Sequence, residues 1–277
     1  MKYLSLLSLV FLLNPAWGAV IGKESRRDQY DNRIEYDAMA ATVKISSKEN
    51  DGFLGTGVLV IDSNIMFTNW HVLYDPDTGE KRSKNPLAQI NPLYHSEAIG
   101  VNWDNAICSE EKDYCVIELK KKVPGGNALP VVNHVPESLA KDPKSLGQLV
   151  VSNFSVEMLT DDIEEITDLG TEASSQIPHA VLQETNVKKV QVCAGRDFDA
   201  LFGSVRGDCD NRRGNSGSGV VASIRNIGTM IGFVHAQRES STTKDNDPYD
   251  PDTNAVLFRV ITSDISKDIE TVLQRSR

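Results

Sequence analysis

The segment Gly214-Asn215-Ser216-Gly217-Ser218-Gly219 has the residue types of a turn that presents a hydroxyl. Glycine carries no Cβ, so Gly214 and Gly217 let the backbone bend tightly and project Ser216. The same bend can aim the N–H groups of Gly214 and Ser216 at one point, where they would stabilise a developing oxyanion. The chemistry implied is acyl transfer, in which a serine hydroxyl attacks a carbonyl. It requires a base to take the hydroxyl proton and an acid to orient that base. Gly-Ser stretches are also ordinary loop material, so the segment gains meaning only if those partners exist elsewhere.

The base candidate is His71. Two apolar runs, Val58–Ile61 and Ile65–Thr68, flank Asp62-Ser63-Asn64, which are turn residues. The pattern predicts a β-hairpin with His71 just past its second strand. The acid candidate is Asp113, opening the β-rich run Asp113-Tyr114-Cys115-Val116-Ile117-Glu118-Leu119. Taken singly, each has a structural explanation: a histidine packed at a strand end, an aspartate capping a strand. Together they run in the order His71, Asp113, Ser216, which separates one of the three folds carrying such a triad from the other two.

Three segments then match one family: Thr68-Asn69-Trp70-His71-Val72, Asp113-Tyr114-Cys115-Val116-Ile117 and Gly214-Asn215-Ser216-Gly217-Ser218. The chain resembles the trypsin/chymotrypsin superfamily of serine proteases. Its secreted bacterial branch, which includes the glutamyl endopeptidases, is the closer likeness. Val20-Ile21-Gly22, followed by Arg26-Arg27, resembles the mature start of that branch. The resemblance implies an all-β, chymotrypsin-like fold of two six-stranded antiparallel β-barrels, with a C-terminal helix packed on the second barrel. It implies His71 as base, Asp113 as orienting acid, Ser216 as nucleophile, and the N–H groups of Gly214 and Ser216 as oxyanion hole. Ser218 falls outside the attacking position. The competing reading is a catalytically silent binding module on the same scaffold, since fold does not fix function. The intact His71, Asp113 and Ser216 argue against it.

The resemblance also points at a specificity pocket. Asp210, six residues before Ser216, falls where trypsin-like enzymes place the pocket base, and a carboxylate there would pair with Arg or Lys. It is equally read as a structural turn residue beside Cys209. The rival pocket residue is His235, because glutamyl endopeptidases carry a histidine on the corresponding strand. Aligning Ile231-Gly232 puts Val234 at that histidine's place, and one residue of offset sends a strand side chain to the opposite face. Asn215 stands where trypsin zymogens have the aspartate that receives the new amino terminus.

Composition bounds the remaining choices. Met1–Gly18 reads as a signal peptide: Lys2, the apolar run Leu4–Leu13, then small residues at Ala16 and Gly18. The run is short for a membrane span. The expectation is therefore a secreted or periplasmic protein without stable membrane association after cleavage. The chain carries 29 Lys and Arg against 39 Asp and Glu, a net charge of -10. That balance disfavours nucleic acid, whose phosphates need clustered cations. The expected partner is a protein or peptide substrate, the expected state a monomer.

Four cysteines in an exported chain suggest two disulfides. Three pairings exist, and the two local ones, Cys108 with Cys115 and Cys193 with Cys209, are favoured. Cys115 has a second reading as a buried thiol beneath Asp113. No cofactor and no metal are expected. His95, His134 and His179 lack ligand spacing, and Asp245, Asp247, Asp250 and Asp252 read as a solvated loop.

Along the chain, residues 19–130 are assigned to an N-terminal barrel and 131–277 to a C-terminal barrel and helix. Strands are expected at Ala41–Ile45, Val58–Ile61, Ile65–Thr68 and Val116–Leu119, then at Leu149–Val151, Val187–Cys193, Gly219–Ala222, Met230–His235 and Ala255–Val260. The breaker-rich stretch Lys120–Gln148 suits the connection between barrels. The segment up to Tyr36 reads as extended over the surface, and Asp161–Glu172 as an acidic insertion. Apolar residues at Ile265, Ile269, Val272 and Leu273 predict a helix over Ser263–Gln274 capped by Ser263.

Overall fold

A computed structural model of the chain describes residues 26–49, 52–154, 186–200, 203–210, 214–239, 249–251 and 254–277. The signal segment, Val20, Asp161–Glu172, Asp245, Asp247 and Asp252 lie outside the described residues. The described strands form two closed six-stranded barrels, antiparallel throughout. The first comprises β1 (Thr42–Ser47), β2 (Phe53–Leu59), β3 (Ile65–Thr68), β4 (Pro86–Gln89), β5 (Ile99–Ser109) and β6 (Tyr114–Leu119). The second comprises β7 (Gln148–Phe154), β8 (Lys188–Asp199), β9 (Ser204–Gly207), β10 (Gly219–Ile224), β11 (Ile227–Glu239) and β12 (Asn254–Val260).

Starting from its first strand, each ring follows the same order: first, second, third, sixth, fifth, fourth. Closure leaves no unpaired sheet edge. Buried apolar residues on one face of each sheet fill the interiors: Ile45, Leu59, Met66 and Ile117 in the first barrel, Leu149, Val151, Val205 and Phe258 in the second.

The strands that sequence pattern missed have identifiable causes. β2 starts at Phe53 rather than Val58 because Gly55 and Gly57 interrupt the apolar run. β4 opens on Pro86, and β5 carries Gly100 and a bulge between Asn102 and Ala106. Such segments become strands because their neighbours complete the ladder, so context overrides propensity.

Both ends of the described chain carry helices, and each corrects an expectation. The stretch before Tyr36 is not all extended: α1 spans Arg33–Ala41, so Ala41 ends a helix. Asn32 Oδ1 accepts the N–H groups of Ile34 and Glu35 at 2.9 and 3.1 Å, while Glu35 accepts the N–H of Asp31 at 2.8 Å. This reciprocal arrangement is a variant of the capping box, in which Glu35 reaches the N–H one residue before the N-cap. Buried Ala38 and Ala41 face β7, β8, β10 and β11.

After the short helices α2 (Trp70–Leu73) and α3 (Glu137–Lys141), the C-terminal α4 spans Ser263–Arg275 with Thr262, not Ser263, at its N-cap. It packs on β3, β5 and β6 of the first barrel, not on the second. Ile265, Ile269 and Val272 join the core cluster that holds the first barrel's interior and extends to residues of the second. Asn105 Nδ2 donates to Val272 O at 3.1 Å, Tyr114 Oη donates to Asp268 Oδ2 at 2.6 Å, and Lys112 pairs with Asp264. The β5–β6 hairpin offers these donors. Each helix therefore packs on the barrel remote from it in sequence, and the two together brace the barrels against each other. The segment between β6 and β7 adds parallel bridges, Val60 with Leu129 and Val131 with Met230.

Candidate active site

The ring order places β3 beside β6, with Thr68 opposite Cys115. The chain leaving β3 and the chain entering β6 must then meet at one end of the barrel. His71 sits there on α2, one turn beyond the strand, and Asp113 sits on the turn that precedes β6. Cys108 and Cys115, directly paired across β5 and β6, are joined by a disulfide that closes this hairpin. Within it, Asp113 N–H donates to Glu110 O at 3.0 Å, and Asp113 adopts φ 51. Aspartate tolerates this left-handed region better than most residues.

The Asp113 side chain is 10 % exposed and surrounded by donors. Its Oδ1 accepts the backbone N–H of His71 at 3.0 Å. The Nδ1 of His71 lies 2.9 Å from Oδ1 and 2.8 Å from Oδ2. Asn69 Nδ2 donates to Oδ2 at 3.0 Å and to the Asp113 carbonyl at 2.8 Å. The Nδ1 of His235, reaching from β11, lies 2.8 Å from the same Oδ2. An ionised carboxylate only accepts, so both Nδ1 atoms carry their protons when they bond to it. That leaves the Nε2 of His71 free to act as a base.

Burial raises the Asp113 carboxyl, but the hydrogen bonds from His235 and His71 and the nearby imidazole charge outweigh it, taking it from the ordinary 3.8 to about 2. A depressed folded-state value means that the ionised group stabilises the fold above the unfolded value and stops doing so as pH falls towards the folded one. The contribution, on the order of 2 kcal/mol, is expected to disappear between pH 3.8 and about 2. Urea midpoints across that window should fall for the wild type more steeply than for Asp113→Asn.

The turn at Ser216 is held against the first barrel by its backbone. Thr56 N–H donates to Ser216 O at 3.1 Å, and Thr56 Oγ1 donates to Gly214 O at 2.8 Å. On the other side Gly217 N–H donates to Val234 O at 3.3 Å, and Val234 N–H to Ser218 O at 2.9 Å. Gly217 has φ 87, and a Cβ there would lie 2.1 Å from Thr56 O and 2.4 Å from Thr68 Oγ1. Thr56 cannot retreat, since it is paired to Lys44 of β1. Gly217→Ala is therefore expected to cost about 3–5 kcal/mol, read as a lowered denaturant midpoint. Ser216 is half-buried. Ser218 is fully buried, with its hydroxyl donating to Asn215 O at 2.5 Å.

The pocket candidates occupy different surroundings. Asp210 is 1 % exposed, and its main chain is clamped by Gln191, whose side chain accepts from Asp210 N–H at 2.8 Å and donates to Asp210 O at 2.6 Å. Asn215 is buried beside it and donates to the same carbonyl at 3.4 Å. Val234 is buried in the second barrel's core, whereas Phe233 and His235 face the first barrel. His235 has no partner in the β11–β12 register, which shifts between Val234 and Ala236. Cys193 and Cys209 form the second disulfide, joining β8 to the segment that leads to Asp210. Among the described residues no group of three His, Cys, Asp or Glu side chains could hold a metal ion.

Sequence reasoning did not single out three residues that shape this site. Asn69 lies inside the Thr68–Val72 segment that carried the resemblance, which was the available signal, and its buried amide donates to Asp113. Thr56 lies between two glycines, and Arg259 on β12 donates to Glu111 O at 3.2 Å. Burial lowers the Arg259 guanidinium, while the charges of Asp113 and Glu111 act in the opposite direction.

No protein-family model and no curated protein sequence matches the chain. Solved structures do. A Glu endopeptidase superposes with a TM-score of 0.57 at 12% identity, covering 94% of this chain and 100% of its own. The thermostable serine protease AL20 from an extremophilic microorganism gives 0.54 at 12% identity, covering 84% and 96%. A serine endoprotease from Yersinia pestis gives 0.52 at 14% identity, covering 90% and 70%. At such identities the likeness speaks to fold alone. Two six-stranded barrels in the same ring order, flanked by a C-terminal helix, give this chain the trypsin/chymotrypsin-like serine protease fold.

Proposed function

We propose that the protein is a serine endopeptidase, secreted or periplasmic, that works through His71, Asp113 and Ser216. The observation that carries this is the Nδ1 of His71 held at 2.9 and 2.8 Å from the two oxygens of Asp113, at the barrel end against which the Ser216 turn is bonded. In this reading His71 Nε2 takes the proton of Ser216 Oγ as the oxygen attacks the substrate carbonyl. The developing O⁻ is received by the N–H groups of Gly214 and Ser216. The proton then passes to the leaving amine as the peptide C–N bond breaks, leaving an acyl group on Ser216. Water, deprotonated by the same imidazole, hydrolyses that ester and restores the hydroxyl.

Two disulfides suit an oxidising compartment, which supports removal of Met1–Gly18 as a signal during export. The assigned barrels, 19–130 and 131–277, are retained in this reading, with a peptide or protein substrate between them. At the specificity pocket Asp210 favours basic side chains, and His235 would favour acidic ones.

The test is titration of purified protein with a fluorophosphonate, followed by cleavage-site profiling on a peptide library. One phosphonyl group per chain, mapped to Ser216, and amide cleavage with a defined side-chain preference are expected. A protein that takes no label and cuts no peptide is the silent binding module instead.

A further inference from the structure

We propose that His235 is a positioning residue for the His71–Asp113 pair, donating Nδ1–H to Asp113 Oδ2 from the opposite barrel. This deepens the protease reading and rests on it for its kinetic arm. The other donors to the Asp113 side chain, Asn69 and His71, belong to the first barrel. Among the described residues His235 alone reaches that carboxylate from the barrel that carries Ser216.

Its position on β11 makes it a register pin. The preceding residue, Val234, is bonded on both sides to the Ser216 turn, through Gly217 N–H and Ser218 O. Two residues back, Phe233 packs on Phe67 with ring centroids 4.9 Å apart, and Phe67 stacks on Tyr114, the neighbour of Asp113. Strand alternation puts Phe233 and His235 on one face. That face meets the first barrel, with the apolar contact at one position and the polar contact at the other. The shift in register after Val234 takes His235 out of the β12 ladder and leaves its ring directed by Asp113. The side chain is 19 % exposed, so the bond is made largely out of water.

The consequence is a rigid link between the Ser216 turn and the carboxylate that orients the base. Asp113 Oδ2 accepts from two imidazoles and one amide, which fixes its rotamer. His71 then keeps the Nδ1–H tautomer that its role as base demands. Loss of the His235 donor frees the carboxylate to turn, and the effect should fall on turnover rather than on substrate binding.

Two variants separate donation from packing. His235→Leu fills the space without a donor, and His235→Asn returns an amide N–H near the position of Nδ1. His235→Leu is expected to lower kcat on the order of tenfold or more with KM little changed, and His235→Asn to recover most of the loss. Proton NMR on protein with isotope-labelled histidine supplies a readout that needs neither activity nor a variant. The wild type should show two low-field imidazole N–H signals shielded from exchange, and His235→Leu, where folded, one. A single such signal in the wild type, an unaltered kcat in folded His235→Leu, or a loss confined to KM would overturn the proposal. Absence of fluorophosphonate labelling at Ser216 would instead overturn the protease reading, while the NMR count would still decide the hydrogen bond.

Discussion

Replacing Ser216 by alanine is expected to leave the protein folded and to lower peptide turnover on the order of 10⁴–10⁶-fold. The fold survives because the turn is held by main-chain atoms: Ser216 O accepts from Thr56, Gly217 N–H reaches Val234, and Ser218 O accepts from Val234. None of these involves the hydroxyl that the substitution removes. Under the proposed mechanism activity is expected to be lost, because the neighbouring Ser218 hydroxyl cannot take over. Ser218 is fully buried and its Oγ is committed to Asn215 O. The check is kcat with a good peptide substrate, covalent labelling by mass, and a thermal midpoint beside the wild type. Unchanged hydrolysis by a folded Ser216→Ala protein would remove Ser216 from the mechanism.

The residues of the candidate site could be singled out from the sequence, and their mutual arrangement was legible only in part. His71, Asp113 and Ser216 stand in segments whose glycines, asparagine and flanking apolar runs have little other use, so local chemistry exposed them. What joins His71 to Asp113 is ring order, and the pairing of β3 with β6 across a long stretch of chain has no local signature. Strand alternation stated correctly that His235 faces away from Val234. It could not state what lies across that face, because the first barrel is placed there by tertiary packing. The spacing of Asn32 and Glu35, an N-cap residue followed three positions later by a glutamate, was a local signal of α1 available before the structure. By contrast, β5 is hidden by its polar residues and bulge, and the seat of α4 on the first barrel depends on donors from a hairpin far away in sequence.

Asp113→Asn is expected to lower turnover on the order of 10⁴-fold, by an argument from donors alone. Among the described residues, every group hydrogen-bonded to the Asp113 side chain is a donor: His71 N–H, His71 Nδ1, His235 Nδ1 and Asn69 Nδ2. An asparagine offers one oxygen and one NH₂. If the NH₂ takes the place of Oδ1, it opposes the backbone N–H of His71, which cannot change its character. If it takes the place of Oδ2, it opposes Asn69 and the His235 imidazole, and it also crowds His71 Nδ1, which lies 2.8 Å from that place and 2.9 Å from Oδ1. Asn69 is tied by its second bond to the Asp113 carbonyl, so reversing its amide breaks that bond. An imidazole relieves the conflict by moving its proton to Nε2 and accepting from the new NH₂, and a His71 that does so presents N–H where the proposed mechanism needs a lone pair. The second arrangement confines the conflict mainly to side chains, so it should prevail and carry the wrong tautomer. Low-field Nδ1–H signals should vanish together with kcat, at little change in KM. A fall of only tenfold would mean that Asp113 does not set the tautomer of His71, and that the pair seen here is structural.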